Sequence, residues 1–182
     1  MSTTLPKFRS RTLHWLGLLG GAMWLAGCAT FSDPVIHEPF NPTTHRAVRI
    51  ELCEDRTGFT GTRNLKEEAD RIFVDKLKAM SVFHISADAP LLLTCDIESF
   101  AEGNAMKRWL MPGWGATEAT VAVVVRDVST RRILVIMRSQ QLVQGGGLFS
   151  VGAKGYVLDR AFNDIIKQIE VWTDKSNQKE SR

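Results

Sequence analysis

The chain has 182 residues, 44% of them hydrophobic and 24% charged, with 23 Lys and Arg against 20 Asp and Glu, and three cysteines. The formal excess of +3 lies entirely in Lys7, Arg9 and Arg11, so everything after the first residues is neutral overall. That balance leaves no basic stripe for nucleic acid and no polybasic patch for an anionic membrane surface, and the length suits one domain with a real core.

The opening stretch MSTTLPKFRSRTLH holds those three cations and no acid, and WLGLLGGAMWLAG, residues 15–27, is apolar and small throughout. At about 1.5 Å per residue such a run spans about 20 Å as a helix, short of the roughly 30 Å hydrocarbon core of a bilayer. A basic start, a short apolar middle and a small-residue end predict a secretory signal peptide over residues 1–27. Its last residues with the next, LAGC at 25–28, resemble the lipobox of bacterial lipoproteins. The resemblance implies cleavage between Gly27 and Cys28, a diacylglyceryl thioether on Cys28 and acylation of the new amino terminus. Each buried methylene contributes about 0.8 kcal/mol, and two or more chains hold a protein stably to a membrane. Ala29, not Asp, follows the cysteine. By the sorting known for enteric lipoproteins, that implies the outer membrane and a periplasmic domain rather than retention at the inner membrane. The covalent lipid on Cys28 is the only prosthetic group expected.

From Cys28 to Arg46, Pro34, Pro39 and Pro42 disfavour helix. This segment reads as an extended tether, able to reach roughly 55 Å at about 3.1 Å per residue. The alternative is that Val35, Ile36 and Phe40 pack back on the domain.

The domain is expected over residues 47–174, with a polar tail at 175–182. AVRIELC (47–53) alternates as a strand, with Val48, Ile50 and Leu52 inward and Cys53 on the face of Arg49 and Glu51. After the turn-rich DRTGFTGTR, the segment 64–80 places Leu65, Ala69, Ile72, Phe73, Leu77 and Met80 on one helical face. Asn64 is its cap and Glu67 the reciprocal partner. VFHIS (82–86) is a short strand before Pro90. LLLTCDIESFAE (91–102) is a long one, with Leu91, Leu93, Cys95 and Ile97 inward. TEATVAVVVRDV (117–128), apolar on both faces, suits a central strand, and the turn STRR joins it to ILVIMRSQQLV (133–143) as a hairpin. In 156–172, Leu158, Ala161, Phe162, Ile165, Ile166, Ile169 and Trp172 form one stripe. The order β-α-β-β-β-β-α predicts an α+β fold, a mostly antiparallel sheet of about five strands with both helices on one face.

Alternation puts Cys53 and Cys95 on different sides unless a bulge resets one strand. Were they bonded, the loop of about 43 residues would contribute about 4 kcal/mol in the chain-entropy model.

PGWGATEATVAVVVRDVSTRRILV, with the glycine-rich loop and amphipathic helix after it, resembles a family of uncharacterised bacterial envelope lipoproteins over about residues 47–172. Gly113, Gly115, Asp127 and the turn at Ser129–Thr130 fit the pattern; where the family often ends that turn in Gly, Arg131 or Arg132 stands here. These motifs are turns and strands, and the resemblance carries over no catalytic residue.

Candidate chemistry is sparse. Gly147 and Gly152 have phosphate-loop spacing, but the lysine, Lys154, is one place late and no Ser or Thr follows it. His84 is the one histidine placed inside the domain, on a strand facing solvent, and no His or Cys spacing suits a metal. Asp96, Glu98 and Glu102 read as the wet side of a strand. The segment MKRWLMPGWG gathers Met106, Trp109, Leu110, Met111 and Trp114, types favoured at adaptable contact surfaces. Either they dock a partner or they plug one end of the core. The sequence thus predicts a non-catalytic accessory or scaffolding lipoprotein of the cell envelope, membrane-bound through its anchor and docked to an envelope protein, with no nucleic-acid partner. A periplasmic lipid- or glycan-binding module and a subunit of an oligomeric secretion or assembly lipoprotein are the alternatives.

Overall fold

The computed structural model describes residues 33–103, 116–143 and 153–180. Among them lie β1 (Val35–Ile36), β2 (Ala47–Ile50), β3 (Glu54–Asp55), α1 (Leu65–Ala79), β4 (His84–Ile85), β5 (Leu91–Ala101), β6 (Thr117–Asp127), β7 (Ile133–Val143) and α2 (Ala153–Glu180). One seven-stranded sheet runs β1-β7-β6-β5-β2-β4, and β3 pairs with β5 farther along the edge that β2 uses. This corrects the expected five strands, mostly antiparallel. The sheet is mixed: β2 is parallel to β4 and β5, and β3 is parallel to β5, while β1–β7, β5–β6 and β6–β7 are antiparallel. The parallel half follows from connectivity. α1 carries the chain back along the sheet between β3 and β4, so the next strand starts at the end where β2 started.

α1 begins as its sequence demands. Asn64 Oδ1 accepts the Glu67 N–H at 3.1 Å, and Leu65, Ala69, Phe73 and Leu77 are buried one turn apart. α2 buries Val157, Leu158, Ala161, Phe162, Ile165, Ile169 and Trp172. The helices lie side by side: Phe73 and Phe162 stack at 5.4 Å, and Lys76 meets Asp159 at 2.7 Å. Beneath them are the inward residues of β5, β6 and β7, with Leu91, Leu93, Ile97, Val121, Val123, Val125, Val135 and Met137 wholly buried. Each such side chain contributes roughly 1.5–3 kcal/mol by leaving water.

The expected separation of Cys53 and Cys95 is also corrected: they are bonded, with their Cα atoms 4.4 Å apart. Ile50 pairs with Leu93, but Glu54 pairs with Asp96, so three residues on one strand span two on the other. This extra residue is a bulge, and it reverses the faces after Ile50. Leu52 is therefore 62% exposed, and Cys53 is fully buried. The Cys53 N–H, lost to the ladder, donates to Asp70 Oδ1 of α1.

The segment before β2 packs on the domain. β1 pairs with β7, the His37 and Glu38 N–H groups donate to Leu134 O, and Phe40 is buried edge-on to Trp172 at 5.2 Å. Trp172 Nε1–H donates to Glu38 O at 3.0 Å.

Candidate functional site

Gly27, Cys28, Met106, Trp109, Leu110, Met111 and Trp114, and with them Gly113, Gly115, Gly147 and Gly152, lie outside the described residues. What the structure fixes is where the segments that bear them join the domain. β5 ends at Ala101 beside Glu118, and Thr117 of β6 pairs with Val143, the last residue of β7. Both 104–115 and 144–152 therefore leave and rejoin the domain at one end of the sheet. β1 is antiparallel to β7, with Val35 opposite Ile136 and Ile36 opposite Val135, so the chain comes from the direction of that end and meets the sheet at mid-strand. α2 starts there too, because its later residues Gln168 and Trp172 reach Arg138 O and Glu38 O farther down the sheet. Both connections thus share one end, and the amino-terminal segment comes in from its side to join the sheet at mid-strand, which sequence patterning alone does not show.

At the opposite end two open grooves adjoin at Ser81 and Val82. One, of about 400 Å³, runs between the end of α1 and α2 over Met80, Val82 and Ile166, with Lys76 and Glu170 at its rim. The other, of about 320 Å³, is lined by Phe40, Pro42, Arg46, Thr173 and Asp174. Lys76 is already held by Asp159 and by Asn163 Oδ1, each at 2.7 Å. Sequence reasoning missed His45 here. Its ring lies 6.4 Å from Trp172 and 5.8 Å from Phe40, and Nδ1 accepts the Asn41 N–H at 2.9 Å. Burial lowers its pKa below the usual histidine value, against the pull of Asp127 and Glu38. His84 is exposed on β4, as expected.

Of the strand carboxylates, Asp96 pairs with Arg56 at 3.0 Å and Glu98 with Arg138 at 2.6 Å. They are cross-strand ion pairs on the wet face, not an acid–base couple. Among the described residues no group of His, Cys, Asp and Glu could hold a metal ion. No helix among them is long and apolar enough to cross a membrane. Asp127 has its pKa lowered to about 2, because its carboxylate accepts from the Ser129 hydroxyl at 2.6 Å and the Thr130 N–H at 2.8 Å. It closes the β6–β7 turn.

Among solved structures the fold is similar to three bacterial proteins. A PelC dodecamer from Paraburkholderia phytofirmans is 14% identical, with 73% of this chain and 97% of that chain covered and a TM-score of 0.50. The hypothetical protein CT253 from Chlamydia trachomatis is 14% identical, with 70% and 96% covered and a TM-score of 0.52. Protein XCC0632 from Xanthomonas campestris, of the DUF330 family, is 11% identical, with 82% and 98% covered and a TM-score of 0.51. At these identities the likeness is one of fold. Comparison with curated proteins finds no match. The sequence itself is matched over residues 62–169, from just before α1 to the last turns of α2 that cover the sheet, and on that match the chain belongs to the DUF4410 family, a domain of unknown function.

Proposed function

We propose that the chain is a non-catalytic lipoprotein of the bacterial cell envelope, tied to the outer membrane through lipid on Cys28, with its α+β domain in the periplasm as an accessory or scaffolding component of an envelope complex. The observation that carries this reading is the leader, whose basic, apolar and small-residue regions stand in order and end in LAGC. The topology supports it, because the chain runs into β1 from the side of the sheet end that bears the connection with Met106, Trp109, Leu110, Met111 and Trp114. A partner or lipid surface met there would be met next to the anchor.

Among the described residues the facing side chains of sheet and helices are buried, and the grooves of about 400 and 320 Å³ are open ones. A lipid- or glycan-binding module therefore has less support than a docking role. An oligomeric subunit has one specific support, the dodecameric assembly of the PelC protein of like fold.

Two experiments test the reading. Metabolic labelling with palmitate should mark the wild-type chain, and Cys28→Ala should lose the label and leave the membrane fraction. A Cys28→Ala chain that stays labelled and bound would end the anchor. For the partner, crosslinking from intact envelopes should capture one envelope protein with wild type and not with Trp109→Ala/Trp114→Ala at equal abundance. Equal capture by both forms would remove the loop from the interface.

A further inference from the structure

Among the described residues the helices cover one face of the sheet, and the other face carries charge and apolar groups in rows set by register. The first row is basic: Arg49, Leu92 and Arg126 are cross-strand neighbours on β2, β5 and β6. The second is apolar: Thr94, Val124, Ile136 and Val35 follow one another on β5, β6, β7 and β1, and Val35 is 55% exposed. The third is acidic at one side: Glu54, Asp96, Ala122 and Arg138 lie on β3, β5, β6 and β7. Arg56 bridges Glu54 at 2.9 Å and Asp96 at 3.0 Å, so the two acids keep a net negative charge. Arg138 is balanced by Glu98. Arg126 donates to Thr94 Oγ1 at 3.1 Å, which keeps its positive charge on this face.

We propose that this face binds a second copy of the chain, about a twofold axis that lies along the apolar row. The two sheets then meet face to face with their strand ends reversed. Val124 and Ile136 fall on their own counterparts, and the basic row of each copy falls on the acidic row of the other. A twofold along the strands would instead set basic row on basic row, so charge selects between the two orientations. Ala122 carries no bulk to hold the sheets beyond the usual spacing of about 10 Å. Five strand positions about 4.8 Å apart, over eight residues at about 3.4 Å, give a face of about 650 Å². Two such faces bury about 1,300 Å², within the range of stable specific interfaces.

The test uses the full chain in its membrane. Val124→Cys, at the axis, should give a dimer with a bis-maleimide crosslinker, while Arg131→Cys in the β6–β7 turn should not. The bonded Cys53 and Cys95 leave the reagent no other thiol in the domain. Added to Val124→Cys, Arg126→Glu should lower the dimer yield about tenfold, and Asp96→Arg on top should restore it to within about twofold. Folding of each variant is read from the intact Cys53–Cys95 bond. Crosslinking at Val124→Cys no greater than at Arg131→Cys, no loss with Arg126→Glu, or no rescue by Asp96→Arg would each overturn the proposal. None of these outcomes touches the lipid anchor, which palmitate labelling reads separately.

Discussion

Arg131 takes φ 59° in the turn between β6 and β7, a left-handed conformation that costs a residue with a Cβ roughly 1–2 kcal/mol. Glycine takes it freely, so Arg131→Gly should raise stability by about 0.5–1 kcal/mol, read as a higher urea midpoint at unchanged slope. The same turn holds Asp127 with a pKa of about 2 against an ordinary 3.8. Its carboxylate binds fewer protons folded than unfolded in that interval. The stability it contributes is therefore full above pH 3.8 and is lost as pH falls through about 2. Asp127→Asn should flatten that acid limb in urea titrations at stepped pH, and an unchanged limb would remove Asp127 from it. His45 works by the same sign through a different cause. Burial lowers its folded pKa, so stability falls as pH drops below 6.5 toward the lowered value, and His45→Gln should abolish the dependence. Asp127 and the turn were legible in the sequence because the residues are adjacent. His45 was not, because its surroundings, Phe40 and Trp172, come from opposite ends of the domain.

Most long elements were read to within a residue or two from periodicity: α1 by its stripe from Leu65 to Leu77, β6 by its run of valines, and β7 at both ends, whereas α2, expected over 156–172, runs Ala153–Glu180 because its polar ends carry no apolar stripe. The two-residue strands β1 and β3 escaped, since two residues have no period and pair only because longer strands offer an edge, while β4 lies inside the short strand expected over 82–86. The disulfide escaped for a sharper reason. One extra residue between Ile50 and Glu54 turns a strict alternation inside out, and the group that accommodates it, Asp70, sits on a helix 17 residues away. Two consequences separate the bulged strand from the regular one. Leu52→Lys should change stability by less than about 0.5 kcal/mol, where an inward Leu52 would cost several. Cys53→Ala/Cys95→Ala should cost about 4 kcal/mol, because a bond closing 42 residues of separation restricts the unfolded chain. Both are read from denaturation midpoints, and a costly Leu52→Lys would restore the regular register.

Over the whole molecule, the packing of β1 changes how far the domain can stand from a membrane. If Cys28 carries the lipid, only the residues between it and Val35 are left as a leash, and a chain extends at most about 3.3–3.6 Å per residue. That reach is about 24 Å, less than half of what a tether running to Arg46 would allow. The chain joins β1 at mid-strand, coming from the end of the sheet that holds Ala101, Thr117 and Val143. The eleven residues of β6 then place the turn at Ser129–Thr130 about 36 Å farther away along the strand. In a lone copy, a short leash coming from that side and a rigid sheet between the ends give the domain a preferred orientation, with the β6–β7 turn away from the bilayer, whereas in the face-to-face pair the ends are reversed and this preference is lost. Energy transfer to a dye in the lipid measures this directly. A fluorophore at Glu118→Cys should transfer strongly, and the same fluorophore at Arg131→Cys only weakly, because transfer falls steeply over such a distance. A 20-residue Gly/Ser insertion after Ala29 should bring the two labels closer to equal, since a flexible coil of that length adds roughly 25 Å of reach and frees the orientation. Equal transfer before the insertion would mean that the domain tumbles on its leash or is paired with its ends reversed, and in either case the connection bearing Trp109 and Trp114 would have no single fixed place beside the membrane.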